Sequence, residues 1–238
     1  MKRIFILISI MLSFLAYGEG HENVATTDGA FTTLMVAAPD IDKYVQTLKA
    51  NTSAFAATGA TGAGVCVTQS GNEYDGQMMV WSAFPSVEAA LVGSLNYDPQ
   101  KAPSSFSRLR DIKYGVTWKP IKPFRLDPGY ERVQRVIVPP LKLQDFVNSM
   151  IELEKAINEA GHKDFFNGVF VPLGGGTHEA TTLMVRSIAP DASALGKIFD
   201  EYFTGSASWA GAYQNVLAQG GTVISDNMEL CEQTYFTD

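Results

Sequence analysis

The sequence predicts an α+β protein built from two copies of one small unit, each ordered strand, helix, strand, strand, helix, strand. Two observations predict this fold class. Three blocks of sequence recur in the same order along the 238-residue chain, and a Pro-rich stretch at residues 120–130 separates the two sets of blocks. Self-similarity at a fixed spacing is the mark of a repeated structural unit. We therefore expect repeat 1 at residues 31–119, a linker at 120–130 and repeat 2 at residues 131–238.

The spacing between the recurring blocks is nearly constant. Residues 31–48 correspond to residues 133–150 at an offset of 102, residues 64–67 to 168–171 at an offset of 104, and residues 79–85 to 184–190 at an offset of 105. The offset grows only where turns can absorb inserted residues. One matching block could arise by chance, but three blocks in order indicate duplication of the whole unit.

Each copy begins with an apolar strand followed by an amphipathic helix. In the second copy the helix spans residues 143–159 and ends before Gly161. Apolar positions three or four residues apart give it one broad stripe that faces the sheet. These positions are Phe146, Val147, Met150, Ile151, Leu153 and Ile157. In the first copy the corresponding positions are Ile41, Tyr44, Val45 and Leu48.

The remaining elements follow from turn and breaker residues. Hairpin turns at residues 70–72 and 174–176 join the second and third strands of each copy. A second helix follows a proline in each copy, at residues 86–94 and 191–203. The last strands are expected at residues 112–119 and 228–235.

The N-terminus predicts export. Lys2 and Arg3 precede an apolar run at residues 4–15, and the small residues of 16–18 precede Glu19. This is the pattern of a cleaved secretory signal peptide at residues 1–18; a membrane anchor, the competing interpretation, needs about 20 apolar residues. We expect a periplasmic or extracellular protein, with a flexible segment at residues 19–30 and no membrane association after cleavage.

The charge of the chain disfavours nucleic acid as a partner. The formal net charge is -7. Removal of residues 1–18, which contain Lys2 and Arg3 but no acidic residue, makes the net charge more negative by two. Phosphate backbones are bound by clustered Lys and Arg, so we expect no nucleic-acid partner. Two copies of the unit in one chain would form a monomer or a homodimer.

The sequence contains two cysteines, Cys66 and Cys231. Export permits a disulfide between them, and the alternative is a reactive thiol at Cys66. They are too few and too distant in sequence for a structural zinc site, and no metal site is predicted.

The element order is that of the ferredoxin-like unit, whose sheet leaves one apolar face in need of a partner. Two copies in one chain resemble the dimeric α/β-barrel superfamily, which includes the antibiotic-biosynthesis monooxygenase, stress-responsive barrel and haem-binding barrel families. The resemblance implies an intramolecular barrel. It also implies functions ranging from cofactor-free oxygenases and isomerases to haem enzymes and proteins of no known activity.

Strand alternation predicts which side chains line the space between the two sheets. Arg135 and Arg186 are both expected there, since the first and third strands of the ferredoxin-like unit are neighbours. An arginine-containing, mostly apolar cavity suits a small organic anion. The alternative is a filled barrel in which the arginines pair with Glu229 or Glu232. The other predicted ligand-binding residues are Trp81, Gln77, Met184, Phe170 and His178.

No catalytic residue is identified from the sequence. We predict no cofactor; haem, the alternative, would need His162 or His178 as a ligand. Three functions therefore stand side by side. They are a binder of a small organic anion, a cofactor-free oxygenase- or isomerase-type enzyme, and a non-catalytic structural or interaction protein with a filled barrel.

Overall fold

The computed structural model describes residues 25–237, so the predicted signal peptide lies outside the described residues. Repeat 1 contains four strands and four helices, with a 3₁₀ turn at Pro99–Lys101. They are β1 (Ala30–Ala37), α1 (Ile41–Ala50), α2 (Ser53–Thr58), β2 (Gly62–Ser70), β3 (Gln77–Phe84), α3 (Val87–Asn96), α4 (Ser104–Ser107) and β4 (Asp111–Pro120).

Repeat 2 has the same order of strands and main helices, with a 3₁₀ turn at Pro140–Lys142. Its elements are β5 (Tyr130–Ile137), α5 (Leu143–Glu159), β6 (Phe166–Gly174), α6 (Gly176–Glu179), β7 (Leu183–Ala189), α7 (Ala192–Thr204), α8 (Ala210–Leu217) and β8 (Thr222–Phe236). The expected βαββαβ order is confirmed in both repeats, and the short helices α2, α4, α6 and α8 are additions to it.

Three of the junctions between strand and helix share one local device. A proline follows the strand, and the next residue caps the helix with its side-chain oxygen. A cap of this kind satisfies a backbone amide that has no partner inside the helix. The caps are Asp40 on the amide of Lys43 (3.0 Å), Ser86 on the amide of Ala89 (3.0 Å) and Asp191 on the amide of Ala194 (2.8 Å).

The eight strands form one closed antiparallel barrel in the order β1-β3-β2-β8-β5-β7-β6-β4. Each repeat supplies four neighbouring strands. Two seams join the repeats, where β2 pairs with β8 and β4 pairs with β6. Closure removes the unpaired sheet edges that two separate halves would expose. The predicted intramolecular α/β barrel is therefore confirmed.

The helices pack outside the barrel, and each repeat has its own core between helices and sheet. In repeat 2 the stripe of α5 is buried on the sheet, except that Ile151 is 39% exposed because it lies at the border of the stripe. In repeat 1, Tyr44, Val45 and Leu48 of α1 are buried in the same way. Within residues 25–237, every helix is too short or too polar to cross a membrane.

Two connecting segments are more ordered than the sequence predicts. Thr26, within the segment expected to be flexible, pairs with Phe124, and Ala30 already belongs to β1. The linker is anchored by Lys122, whose Nζ lies 2.6 Å from Glu154 Oε2 and donates to the carbonyl of Asn167. Burial lowers the pKa of the Lys122 ammonium group, although Glu154 opposes this shift. The linker is therefore packed against repeat 2.

Candidate functional site

The barrel interior contains a cavity with mainly apolar walls. Strand alternation places Thr33 opposite Trp81, and Met184 opposite Phe170, with all four side chains at the cavity. The volume open to the centres of water molecules is about 40 Å³, enough for a few waters. The apolar walls are formed by Phe31, Met79, Trp81, Phe124, Leu126, Pro128, Phe170, Met184 and Ile188, and the other lining residues are Thr33, Cys66, Asp127, Glu131 and Arg186.

Two glycines at equivalent positions of the repeats make room for the aromatic side chains. A Cβ atom on Gly64 would lie 2.5 Å from the Trp81 ring, and one on Gly168 would lie 2.5 Å from the Phe170 ring. Both distances are shorter than van der Waals contact. The rings can therefore lie against the strand backbone only because these two positions have no side chain.

The linker closes one side of the cavity with an aromatic cluster. The ring of Phe124 lies 4.9 Å from that of Phe170 and 5.8 Å from that of Phe31, in edge-to-face geometry. This arrangement is favourable for aromatic pairs. Because Phe124 belongs to the linker, movement of this segment would change the size of the cavity.

Arg186 is the charged centre of the cavity, and it is 6% exposed. Its Nε donates to Glu131 Oε2 at 2.6 Å, and its Nη2 donates to Glu229 Oε2 at 3.3 Å. A buried guanidinium needs such partners. The pairing with Glu229 agrees with the alternative prediction of structural ion pairs, whereas Glu232 forms an exposed pair with Lys49 instead.

Glu131 is the acidic group that the sequence-based search for acid–base residues missed. Burial raises the pKa of its carboxyl group above the usual value of 4.5, against the opposing effect of Arg186, and nearby Glu229 raises it further. Two carboxyl groups compete here for one guanidinium, which favours retention of a proton. The signal that identifies it is strand alternation, since Glu131, Val133 and Arg135 occupy alternate positions of β5.

Cys66 and Cys231 form a disulfide across the β2–β8 seam. The disulfide that the sequence left open is thus present, and it links repeat 1 to repeat 2 covalently. Arg186 Nη2 lies 3.3 Å from Cys66 Sγ and 3.2 Å from Cys231 Sγ. The two sulfurs and a carboxyl oxygen of Glu131 all lie within 4.8 Å of one another.

Arg135 does not share this cavity, contrary to the prediction of one site with two arginines. It is paired with Glu179 through Nε at 2.7 Å and Nη2 at 2.9 Å, and it lies over the ring of Trp118. In the register of β5 and β7, Arg135 lies opposite Met184 and Arg186 lies opposite Val133, so the two arginines are offset by two residues along the strands. The glycines at 174–176 predict a hairpin turn, whereas the structure begins the short helix α6 at Gly176, and this helix carries Glu179.

Gln77 and His178 are also absent from the cavity lining. Gln77 is buried and accepts a hydrogen bond from the amide of Glu73. His178 is exposed and stacks on Tyr114 at 4.2 Å between ring centres. His162 lies elsewhere and pairs with Glu201 at 2.9 Å. Neither of the two histidines in the described part of the chain lines the cavity, so neither is placed to serve as the axial ligand of a haem there.

Fold and cavity together define the class of this protein: it is a dimeric α/β barrel of ferredoxin-like units, fused into one chain. No protein-family model matches the sequence, and no curated protein matches it. Solved structures share the fold. The chain is similar to a protein assigned as a chlorite dismutase, with a TM-score of 0.54 and 10% identity over 88% of this chain and 96% of that one.

Two further solved structures are similar to this chain. One is assigned as a monooxygenase from Lactobacillus acidophilus NCFM, with a TM-score of 0.53 and 9% identity over 87% of this chain and 95% of that one. The other is an anthrone oxidase-like protein, with a TM-score of 0.49 and 12% identity over 87% of this chain and 94% of that one. At these identities the two structures with TM-scores above 0.5 support the fold and nothing beyond it.

Proposed function

We propose that the protein binds a small, uncharged, largely apolar molecule in the barrel cavity. The observation that carries this proposal is the pairing of Arg186 with both Glu131 and Glu229 inside a wall of aromatic and thioether side chains. Apolar walls with a few polar groups are typical of small-molecule sites. The small open volume favours a compact ligand, or a larger one that displaces the linker.

The charge balance favours an uncharged ligand over the organic anion expected from the sequence. Among the described residues that line the cavity, the cationic side chain is Arg186, and two carboxyl groups already accept its hydrogen bonds. An anion would add a negative charge beside these two buried carboxyl groups, and the donor left for it on Arg186 is Nη1, which contacts the sulfur of Met184 at 3.8 Å. Burying a further charge without full compensation is costly.

A second candidate function is acid–base catalysis by Glu131 on the same ligand. A buried carboxyl group with a raised pKa can hold a proton and transfer it to or from a bound molecule. This would suit the cofactor-free oxygenase or isomerase chemistry considered from the sequence. The neighbouring folds assigned as a monooxygenase and a chlorite dismutase are consistent with a barrel that hosts an enzyme site.

The binding proposal is tested with two compounds of similar shape, benzyl alcohol and benzoate, on protein with ¹³C-labelled methionine methyl groups. Met79 and Met184 line the cavity. Met150 belongs to α5, lies in the core between this helix and the sheet, and serves as the internal control. We expect benzyl alcohol to shift the Met79 and Met184 resonances and to leave Met150 unchanged. Shifts caused by benzoate alone would favour an organic anion, and no shift with either compound would favour a filled barrel.

The catalytic proposal is tested by deuterium uptake next to the carbonyl of cyclohexanone, a compact uncharged ketone. If Glu131 transfers the proton, Glu131→Gln lowers the uptake rate by about 100-fold or more. Glu179→Gln is the matched control, because Glu179 is a buried, arginine-paired glutamate outside this cavity. Equal rates in wild type and Glu131→Gln would leave the protein as a binder.

Export and assembly remain proposals as well. A disulfide is typical of proteins that fold in an oxidising compartment, which supports export. The closed barrel gives each repeat its partner within one chain, which supports a monomer, with a homodimer as the alternative.

A further inference from the structure

The disulfide between Cys66 and Cys231 is part of the cavity wall as well as a link between the repeats. The two residues are directly opposite each other on β2 and β8. Both are buried, yet Cys66 lines the cavity. A small molecule in the cavity would therefore lie next to a sulfur–sulfur bond.

Two groups beside this bond are suited to its cleavage. When a thiolate attacks one sulfur of a disulfide, negative charge develops on the other. Arg186 already donates to both sulfurs from Nη2, and a nearby guanidinium stabilises a thiolate. The carboxyl group of Glu131 lies in the same cluster, and burial favours its protonated form, so it can supply a proton.

We propose that the Cys66–Cys231 disulfide is a reactive bond that exchanges with small dithiols through the cavity, with Arg186 stabilising the leaving thiolate and Glu131 protonating it. This inference involves the same cavity as the proposed function but does not depend on its ligand.

The exchange takes place in two balanced steps. A thiolate of the dithiol attacks Cys66 Sγ, the bond between the two cysteine sulfurs breaks, and its electron pair passes to Cys231 Sγ, which takes the proton of Glu131. The second thiol of the dithiol then gives its proton to Glu131, which restores the carboxyl group. The resulting thiolate attacks the dithiol sulfur that is bonded to Cys66 Sγ in the mixed disulfide. Cys66 is released as a thiolate and takes up the proton that the first thiol lost when it ionised. Two electrons and two protons have passed from the dithiol to the protein, and the dithiol leaves as a cyclic disulfide.

The fold can survive this reaction. The β2–β8 seam is held by backbone pairing from Gly62 with Phe236 to Ser70 with Met228, on both sides of the disulfide. The second seam, between β4 and β6, contains no cysteine. Reduction therefore removes one covalent link and leaves the barrel closed by hydrogen bonds, so oxidation can restore the bond.

The test measures the rate at which excess dithiothreitol reduces the native, ligand-free protein, with thiols trapped by alkylation and counted by mass spectrometry. We expect a rate that is first order in dithiol, unchanged by low urea and faster than global unfolding. A brief reaction with a monothiol should place the mixed disulfide on Cys66. Reduction that proceeds at the rate of unfolding, or a mixed disulfide on Cys231, would overturn the proposal.

Variants separate this chemistry from simple exposure. Glu131→Gln keeps the shape of the side chain but removes the proton, and we expect exchange to slow by at least about tenfold. Arg186→Met should also slow the exchange. Arg135→Met is the control, because Arg135 pairs with Glu179 and does not line the cavity, and this variant should exchange at the wild-type rate. If Glu131→Gln folds and exchanges at the wild-type rate, the assigned role of Glu131 is wrong. Because no cavity ligand is present, failure of benzyl alcohol to bind would leave this result unaffected.

Discussion

Arg186 Nε lies 2.6 Å from Glu131 Oε2, and the two side chains come from neighbouring strands of repeat 2. The same guanidinium reaches Glu229 on β8 and both sulfurs of the disulfide that holds β8 to repeat 1. One arginine thus connects the charged groups of the cavity with the seam between the repeats. Its removal should affect both folding and the cavity.

Arg186→Met should strongly destabilise the protein. The substitution replaces the guanidinium with an unbranched apolar side chain and leaves two buried carboxyl groups without their cation. We expect the free energy of unfolding to fall by about 3–5 kcal/mol. The measurement is the free energy of unfolding from urea denaturation. Lys49→Met is the control, because the Lys49–Glu232 pair is about half exposed and should contribute less than about 1 kcal/mol. Equal losses in the two variants would contradict the central role of Arg186.

Glu131 should make stability depend on pH with a defined sign. Because the folded protein raises the pKa of this carboxyl group above 4.5, the stabilisation is complete below the pKa of the unfolded chain and is lost as pH rises through the folded-state pKa. Arg186 and Glu229 are the charged groups in contact with this site. Glu131→Gln mimics the neutral form, so its free energy of unfolding should rise relative to wild type as pH increases from about 4.5. A difference that is constant with pH, or that falls, would show that Glu131 is ionised in the folded protein.

Gly64→Ala should damage the barrel wall. The new Cβ would lie 2.0 Å from the backbone oxygen of Glu232 and 2.5 Å from the ring of Trp81, and the backbone of the seam must shift to admit it. We expect a loss of about 1–3 kcal/mol or more. Gly196→Ala is the matched control: it lies in α7 with nothing within 4 Å of the added atom. That variant should gain up to about 1 kcal/mol. Urea denaturation of both variants checks the prediction. If Gly64→Ala leaves the free energy of unfolding unchanged, the Trp81 ring and the seam backbone shift at no cost, contrary to the prediction.

Expression of the full-length chain in a bacterium should yield a shortened protein in the periplasm. The small residues before Glu19 predict cleavage there, so N-terminal sequencing of the periplasmic product should begin at Glu19. Replacing Lys2 and Arg3 with glutamate should reduce export. An uncleaved product that remains with the membrane fraction would contradict the signal-peptide prediction and favour an anchor.

Much of the fold could be predicted because the spacing of apolar residues along the chain indicates helices and strands directly. The apolar stripe of α5 marks a helix from Leu143 to Glu159, which are the observed bounds. Alternation along strands placed Trp81, Met184, Phe170 and Arg186 in the cavity, since side chains of a strand alternate between the two faces of a sheet.

The site could be predicted only in part, because the missing information is three-dimensional. The separation of Arg135 from Arg186 depends on the register of β5 and β7, in which Arg135 lies opposite Met184 and Arg186 opposite Val133. The partner of Arg135 comes from α6, a helix of four residues that begins at the last of three glycines and is too short to show a sequence period. Phe124 and Lys122 belong to a segment with the composition of a loose linker, and only their tertiary contacts show that it closes the cavity.

The most direct test of the proposed ligand site is a high-resolution crystal structure of the mature protein soaked with benzyl alcohol. We expect one ligand between Trp81 and Phe170, with Arg186 still bonded to Glu131 and Glu229. A cavity closed by protein side chains, or an anion that displaces a glutamate from Arg186, would contradict it.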